Sequence, residues 1–436
     1  MIISFHYFPS VSPRAFRWTT LAEHWSKAGH HVEVICSRTP HMERFERING
    51  VHIHRVGGSF VERAKTFINP SGGISTLNNE TDTVTDQAVV GKMPLLGIAK
   101  RVHDITWKKV YWPDYACLWY FPALKQAATL LRQRHYNVMI SVSLPFTGHV
   151  VGVRAHSIQP EARWIVDAGD PFCYLEDTPT NNHFLYRRLN YSMERAVFRK
   201  SDAVVVTTEP TLTTYAALFP ESASKIHVIP PLATNSQGND KAGPLWQGRD
   251  KIRLLYVGTL YHGIRNPGFL LQLFRKLLET GLSERVELHF VGRLHDSETY
   301  FEPYRSLIGH NIFLHGLVDH DRARRAMKEA DVLVNIGNNT PYQLPSKIVE
   351  YASAGKPILN LIKSDRDSSV SFLRPHPASL SLFEDASSLT HQKLQEISAF
   401  LENPRFIDSS SMDEWLSLFR IPAVASSYEA LFAANG

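Results

Sequence analysis

Residues 342–361 read YQLPSKIVEYASAGKPILNL and hold the residue types that most directly indicate chemistry. Pro345 suits the first turn of a helix, because its missing N–H group needs no partner there. The N–H groups of Ser346 and Lys347 would then point out of the helix N-terminus, where they can bind phosphate, and Lys347 adds a cation. Glu350 follows one turn later on the same face and could accept hydrogen bonds from two ribose hydroxyls. A solvated Lys–Glu pair without any ligand explains the same spacing equally well.

Motifs that would indicate other chemistry are missing from the sequence. There is no G-x-G-x-x-G motif after a strand, no Walker A motif and no G-x-S-x-G motif, which disfavours a dehydrogenase, an NTPase and an α/β-hydrolase. Asp365 and Asp367 form a D-x-D pattern in a polar loop, and we assign no metal to them. Three cysteines, Cys36, Cys117 and Cys173, are too few and too scattered for a disulfide framework or a zinc knuckle.

Composition narrows the class of protein. The chain has 436 residues, of which 43% are hydrophobic and 20% charged, a globular balance with enough material for two cores. A formal charge of +5 is too small for a dedicated nucleic-acid binder but is compatible with phosphorylated small molecules or an anionic membrane surface. Neither a secretory signal nor a long uncharged apolar run is recognisable. We therefore expect a reduced, cytoplasmic protein.

The elements that must position these residues follow a regular alternation. Short β-branched runs alternate with longer helical patterns, which is typical of a parallel sheet with crossover helices. One series opens with IISFHYF and a second with IRLLYVGTL, and the polar segment 234–250 separates them. The sequence thus predicts two doubly wound, Rossmann-type α/β domains. Ligands of such sheets bind at the carboxyl ends of the strands, so we expect the chemistry in a cleft between the domains.

The segment PSKIVEYASAGKP resembles the nucleotide-sugar site of GT-B glycosyltransferases, especially glycosyltransferase family 4. Further landmarks follow in the family's order: GHHVEVIC, the polar linker, LLYVGTL with Arg265-Asn266-Pro267, FVGR and IFLHGLV. The resemblance covers nearly the whole chain outside one insertion. It implies a GT-B-like fold and a sugar-transfer reaction that retains the configuration of the anomeric carbon.

The resemblance assigns a nucleoside diphosphate sugar to the second domain. It implies that Glu350 binds ribose, and that Lys347, Arg265 and the helix N-terminus neutralise the leaving diphosphate without a metal or other cofactor. Tyr342 and Thr259 replace a glutamate and an arginine of the family, while Arg265 matches the partner basic residue. The expected donor contacts are Gly258, Thr259, Arg265, Asn266, Arg293, Leu317, Val318, Pro345, Ser346, Lys347 and Glu350.

The acceptor is expected in the first domain. Asp167 and Asp170 follow the predicted strand RWIVD, and acids at a strand end either act at a site or cap the next helix. We expect Asp170 to act catalytically at the acceptor hydroxyl, with Asp167 beside it. Arg14 and Arg17 could reach a phosphate across the cleft, although positions on a surface helix explain them as well. His149 is a further candidate, although most histidines are structural.

Residues 1–240 are expected to form the first domain and residues 241–405 the second, with a helical tail at 406–436 that returns to the first domain. A polar, aperiodic insertion near residues 57–105 has aromatic and basic flanks. Such stretches suit interfaces, so we expect residues 57–120 to border the acceptor site or contact an anionic membrane. Local helices packed on the domain are the alternative.

The sequence therefore predicts a retaining glycosyltransferase that moves a sugar to a hydroxyl of a glycan or lipid-linked acceptor, in cell-envelope polysaccharide biosynthesis. We expect a cytoplasmic enzyme with peripheral contact to the inner face of the cell membrane and no nucleic-acid partner. A UDP-sugar epimerase or a phosphorylase of the same fold, or a non-catalytic GT-B scaffold, remains an alternative.

Overall fold

The computed structural model describes residues 1–10, 12–39, 41–58, 110–175, 179–233, 243–246, 248, 250–263, 265–403 and 412–433. Most of the expected insertion near residues 57–105 lies outside these ranges, and so does the acceptor or membrane contact expected of it. The chain divides into two compact units. Met1–Pro230 and Val424–Gly436 form the first unit, and Pro231–Ala423 forms the second.

The described residues of the first unit form an eight-stranded sheet in the order β3-β4-β2-β1-β5-β6-β7-β8. Its strands are β1 Ile2–Ile3, β2 Glu33–Ser37, β3 Phe45–Ile48, β4 Val51–Val56, β5 Val138–Val142, β6 Arg163–Asp167, β7 Ala203–Val206 and β8 Ile226–Val228. All neighbours pair in parallel except β3 and β4, which form a hairpin. The central strands are buried on both faces, which explains their unbroken apolar runs.

Helices cover this sheet. They are α1 Pro13–Lys27, α2 Tyr120–Gln133, α3 Thr147–His156, α4 His183–Lys200 and α5 Glu209–Leu218. Helix α1 begins where the Ser12 hydroxyl accepts a hydrogen bond from the Ala15 N–H, with Pro13 in its first turn. It buries an apolar stripe that includes Trp18 and Trp25, whose rings contact Tyr428 near the C-terminal end of the chain.

The second unit contains a six-stranded, fully parallel sheet in the order β11-β10-β9-β12-β13-β14 among its described residues. Its strands are β9 Ile252–Val257, β10 Val286–Val291, β11 Ile312–Leu314, β12 Val332–Ile336, β13 Ile358–Ile362 and β14 Ser379–Phe383. The helices that follow are α6 Gly268–Leu277, α7 His320–Glu329, α8 Ser346–Ser353, α9 Ser368–Leu373, α10 His391–Glu402 and α11 Asp413–Ser417. Helix α12 Ile421–Glu429 begins in the second unit and, from Val424 onwards, belongs to the first.

The strand order of the second unit reverses direction between β9 and β12. Ligands in open α/β sheets bind at such a switch point, outside the carboxyl ends of the strands. The two parallel sheets confirm the predicted fold class, with two Rossmann-type domains. The sequence predicted domain boundaries after residues 240 and 405. In the structure, the chain passes from the first unit to the second after Pro230 and returns to the first after Ala423.

No helix among the described residues is long and apolar enough to span a membrane.

Candidate active site

Glycine turns end the two strands on one side of the switch point in the second unit. The Gly258 N–H donates to the Val291 carbonyl at 2.9 Å, and the Gly292 N–H donates to the Gly316 carbonyl at 2.8 Å. Gly292 has a φ of +133°, and a Cβ there would lie 2.0 Å from the Gly258 carbonyl oxygen. Only glycine fits at residue 292, because both its backbone conformation and the space around it exclude a side chain.

Arg265 links the two strands that flank the switch point. It follows β9, and its Nε donates to Oδ1 of Asn338, which follows β12, at 2.8 Å. The Tyr256 hydroxyl lies under the same turn and donates to the Thr259 carbonyl at 3.1 Å. Burial raises the pKa of Tyr256 to about 12, against the opposing effect of the nearby Arg265 cation. Arg265 is half-buried, and its hydrogen bond to Asn338 fixes its side chain at the switch point.

Helix α8 brings Lys347 and Glu350 to the same edge of the sheet. Lys347 Nζ donates to Glu350 Oε2 at 2.7 Å, and the exposed fractions of the two side chains are 32% and 8%. The predicted i,i+3 contact is therefore present, but Glu350 is largely buried instead of solvated. Pro345 precedes the helix with an extended backbone, and no side chain caps the N-terminus. The first-turn N–H groups are those that an anion can bind.

Tyr351, which the sequence analysis did not select, fixes α8 to the strand that carries the glycine turn. Its hydroxyl accepts a hydrogen bond from the Val257 N–H at 2.7 Å and donates one to the Val257 carbonyl at 3.2 Å. Strand β12 pairs with β9 only as far as Leu255. The Tyr351 hydroxyl thus binds the backbone N–H and carbonyl of Val257, which lies beyond the last residue of β9 that pairs with β12. The only signal in the sequence is the place of Tyr351 next to Glu350 on an apolar helix.

The side chain of Asn266 forms hydrogen bonds within the second unit, at the start of α6. Its Oδ1 accepts from the Gly268 N–H at 2.7 Å at the start of α6, and its Nδ2 donates to the Tyr300 hydroxyl at 2.6 Å. Both ends of the amide are therefore bound within the protein. One N–H and one oxygen lone pair of the amide remain for a further hydrogen bond.

The remaining predicted donor contacts lie in the turns after β10 and β11. The carbonyl of Arg293 accepts from the Leu260 N–H at 2.9 Å, which places Arg293 beside the turn after β9. Leu317 and Val318 lie between β11 and α7; Leu317 is exposed and Val318 is half-buried. These residues share the carboxyl edge of the sheet with the turn at residue 258 and with α8.

Asp367, the second acid of the D-x-D pattern, caps a helix. Asp367 is buried, and its Oδ1 accepts from the Ser369 N–H at 2.9 Å at the start of α9. Its Oδ2 accepts from the Asn339 N–H at 2.7 Å, in the loop after β12. Within the ranges that the structure describes, no three His, Cys, Asp or Glu residues are placed to hold a metal ion.

A second charged cluster lies at the carboxyl edge of the sheet in the first unit. Arg14 Nη1 donates to Asp167 Oδ1 at 3.2 Å, and Arg14 Nη2 lies 3.0 Å from Asp170 Oδ2. A Cβ at Gly169 would lie 1.8 Å from Arg14 Nη1, so the guanidinium lies directly on the backbone between the two acids. Asp167 is fully buried, whereas Asp170 and Arg14 are partly exposed. Asp170 and Arg14 are thus the members that could contact a ligand.

Arg17 lies behind this cluster and binds the C-terminal helix. Its Nη1 donates to the Pro230 carbonyl at 2.6 Å and its Nη2 to the Tyr428 hydroxyl at 3.1 Å. The Tyr428 hydroxyl in turn donates to Asp167. Arg17 is buried, so its guanidinium serves the interior of the first unit and not a phosphate in solvent.

His149 lies in the core of the first unit. Its Nδ1 is 2.9 Å from the Ser141 hydroxyl, which also accepts from the Trp164 indole N–H. Burial, and then the Arg14 cation, lower the pKa of His149 to about 3, so the ring is neutral at physiological pH. The structure thus gives this candidate a structural position, away from the solvent to which Asp170 is open.

A family model of known proteins matches the segment of the chain that holds this site. Residues 251–361, which hold β9 to β12, α8 and most of β13, match the family model described as glycosyl transferases group 1. No curated protein sequence matches the chain.

Solved structures share the fold across the whole chain. Sucrose-phosphate synthase from Thermosynechococcus elongatus superposes with a TM-score of 0.62 at 16% identity, over 99% of this chain and 97% of that chain. The catalytic domain of starch synthase IV from Arabidopsis thaliana, bound to ADP and acarbose, gives 0.59 at 11% identity, over 99% and 98%. Anabaena HepE in complex with UDP-glucose gives 0.55 at 11% identity, over 99% and 98%. The chain thus has the GT-B fold of these structures, and its second unit carries a segment that matches the glycosyl transferases group 1 model.

Proposed function

We propose that this glycosyltransferase moves a sugar from a nucleoside diphosphate sugar to a hydroxyl of a glycan or lipid-linked acceptor, with retention at the anomeric carbon. The observation that carries the proposal is the Lys347–Glu350 pair at the uncapped N-terminus of α8, on the sheet edge that also carries Arg265. An assignment to cell-envelope polysaccharide synthesis in the cytoplasm rests on the family resemblance and is part of the same proposal.

Donor binding uses groups whose chemistry suits a nucleoside diphosphate. Glu350 is a largely buried carboxylate, and such a group gains most from accepting hydrogen bonds from paired hydroxyls such as those of ribose. Lys347 lies 2.7 Å from it and needs to move only its flexible side chain to pair with a phosphate at the helix N-terminus. The ADP and UDP-glucose complexes of starch synthase IV and HepE support this class of donor.

Charge on the departing diphosphate would be stabilised by three positive groups: Arg265 and the N–H groups of α8, which are fixed in position, and Lys347 after its side chain has moved to the phosphate. Preorganised cations and N–H groups are effective at this task because they need no reorganisation as the bond breaks. We propose that they act without a metal ion. In the first unit, Asp170 and Arg14 are the groups that we assign to the acceptor, because they are the partly exposed members of their cluster.

Binding experiments test the donor site. Calorimetry with UDP, ADP, GDP and TDP should find at least one that binds the full chain, and Lys347→Ala and Glu350→Gln should each weaken it. Lys393→Ala and Glu396→Gln are matched controls, because they remove an i,i+3 pair of 2.8 Å on α10 of the same unit. Equal losses in both pairs, or no binding of any nucleotide by the wild type, would contradict the proposal.

Product analysis tests the reaction class. Incubation with the diphosphate sugar of the nucleotide that binds and with a glycan or lipid-linked acceptor should form a bond from the anomeric carbon to the acceptor oxygen. Nucleoside diphosphate should be released with the hydroxyl proton, and the anomeric configuration of the glycoside, read by NMR, should equal that of the donor. Interconversion of free UDP-sugars without an acceptor would instead indicate an epimerase, and a need for inorganic phosphate a phosphorylase. Activity that disappears in EDTA would overturn the metal-free assignment.

A further inference from the structure

Helix α4 exposes a face that combines large apolar side chains with cations. Phe184 is fully exposed at 100%, Leu185 at 58% and Leu189 at 44%. Single exposed apolar residues are ordinary in soluble proteins, but a contiguous group on one helix marks an interaction surface. We call this group, together with the arginines described next, the α4 face.

Arginines alternate with the aromatic residues along the α4 face. Phe184, Arg188, Tyr191 and Arg195 follow at spacings of four, three and four residues, so they form one line along the helix. Arg187 lies beside this line and is also exposed. The line therefore presents rings and guanidinium groups in turn over about three helical turns.

Helix α4 itself carries negative charge at one buried position only. The helix contains four arginines and one lysine, and its single acid is Glu194. Glu194 is buried on the opposite side, where it accepts hydrogen bonds from the Tyr215 hydroxyl at 2.5 Å and from the Cys173 N–H at 2.9 Å. Near the C-terminal end of the line of rings and arginines, Arg195 pairs with Glu221, which lies outside the helix, at 2.5 Å. Arg187 and Arg188 therefore have no carboxylate on their own helix to neutralise them.

The apolar area extends from the helix to the neighbouring segment. The Tyr186 hydroxyl donates to the Val110 carbonyl at 2.6 Å, which fixes Val110 beside the first turn of α4. Val110 is itself exposed. The Trp112 indole N–H donates to Asn190 at 3.0 Å, so the segment follows the helix for about one turn, from Tyr186 to Asn190. The exposed apolar area therefore includes Val110 as well as residues of the helix.

We propose that the α4 face rests on the surface of an anionic lipid bilayer. Phe184 and Leu185 would enter the boundary between headgroups and acyl chains, while the arginines pair with lipid phosphates, the arrangement that interfacial amphipathic helices use. A bilayer fits better than an acidic protein because rings and cations alternate along a convex helix and do not line a pocket. The inference concerns the first unit and does not depend on the donor site in the second.

Co-sedimentation with vesicles tests this surface. The full-length chain should bind vesicles of phosphatidylglycerol and phosphatidylcholine in equal amounts at low salt, and bind phosphatidylcholine alone much more weakly. Arg188→Glu should lower the partition coefficient about 25-fold, because two unit charges are changed and each is worth about five-fold. Phe184→Ser should lower it about ten-fold by removing a ring that enters the interface.

Matched controls lie in the second unit. Leu418→Ser removes an apolar side chain exposed to the same degree as Leu185, and Lys328→Glu makes the same charge change on an exposed site of α7. Neither should change vesicle binding.

The proposal is overturned if these controls lose as much binding as the α4 variants, or if the wild type does not bind anionic vesicles. It is also overturned if Phe184→Ser instead abolishes a dimer seen by sedimentation velocity, which would make the face a contact between two copies. Calorimetric nucleotide binding, measured in parallel, should stay unchanged in the α4 variants and so separates this inference from the proposed function.

Discussion

Tyr351→Phe removes a single oxygen atom from the contact between α8 and β9. In the wild type that hydroxyl accepts from the Val257 N–H and donates to the Val257 carbonyl. Both backbone groups face the gap where β12 no longer pairs with β9. The ring of Phe fills the same volume, so the change leaves an N–H group buried without an acceptor and does not open a cavity.

The expected loss of stability follows from the Val257 N–H group that is left without an acceptor. A buried donor that loses its partner costs about 1–3 kcal/mol, and the second bond adds to this, so we expect the second unit to lose about 2 kcal/mol. Local opening at the end of β9 should become easier by the same amount, which raises amide exchange at Val257 roughly 30-fold. Nucleotide affinity should fall as well, because α8 is no longer held against the turn at Gly258.

Hydrogen–deuterium exchange of the peptide that contains Val257 measures the first effect, and calorimetry with the bound nucleotide the second. Tyr304→Phe is the control, because Tyr304 is a buried tyrosine of the same unit whose hydroxyl has no hydrogen-bond partner within the described residues. If Tyr351→Phe exchanges and binds like Tyr304→Phe, the hydroxyl does not position the helix and the reasoning is refuted.

Three further predictions concern single residues. Glu350→Ala should weaken nucleotide binding by about 2–4 kcal/mol in a chain that remains folded, as calorimetry and circular dichroism together would show. Arg265→Ala should lower turnover by ~10²–10³ while binding of the bare nucleoside stays close to normal, and equal losses in both would indicate a structural role instead. His149 has a pKa of about 3 in the folded chain, below its ordinary value of 6.5, so unfolding takes up a proton between these values and stability should fall as the pH drops from 6.5 towards 3. His149→Gln should flatten this dependence in urea unfolding measured across that range, and an unchanged slope would contradict the burial of a neutral ring.

Local patterns in the sequence predicted the parts of the site that depend on a few consecutive residues. The helix that starts after Pro345 and the Lys347–Glu350 contact both follow from spacing within one turn. The antiparallel β3–β4 hairpin has a similar local signal in Asn49-Gly50, both of which adopt positive φ. No hairpin was predicted from this dipeptide.

Contacts between distant residues could not be predicted in this way. Arg14 and Asp167 were both selected, yet nothing in the sequence indicates that they form an ion pair across 153 positions. Residue type alone likewise did not separate Arg17, which binds Tyr428 in the interior, from a residue available to a ligand. Such roles depend on burial and on partners that only the fold brings together.

The contact between Tyr428 and the first unit has a consequence for how the chain is made. Tyr428 is fully buried against Trp18 and Trp25, with ring centroids 5.4 and 5.9 Å apart, and it closes the hydrogen bonds of Arg17. Trp18 and Trp25 therefore acquire this core neighbour only after the ribosome has also made the whole second unit. Domains usually complete their folding in the order of synthesis. Here the second unit can finish first, while the first must wait with Trp18 and Trp25 uncovered. A fragment that ends at Pro230 should consequently need residues 424–433, fused or added as a peptide, to become soluble.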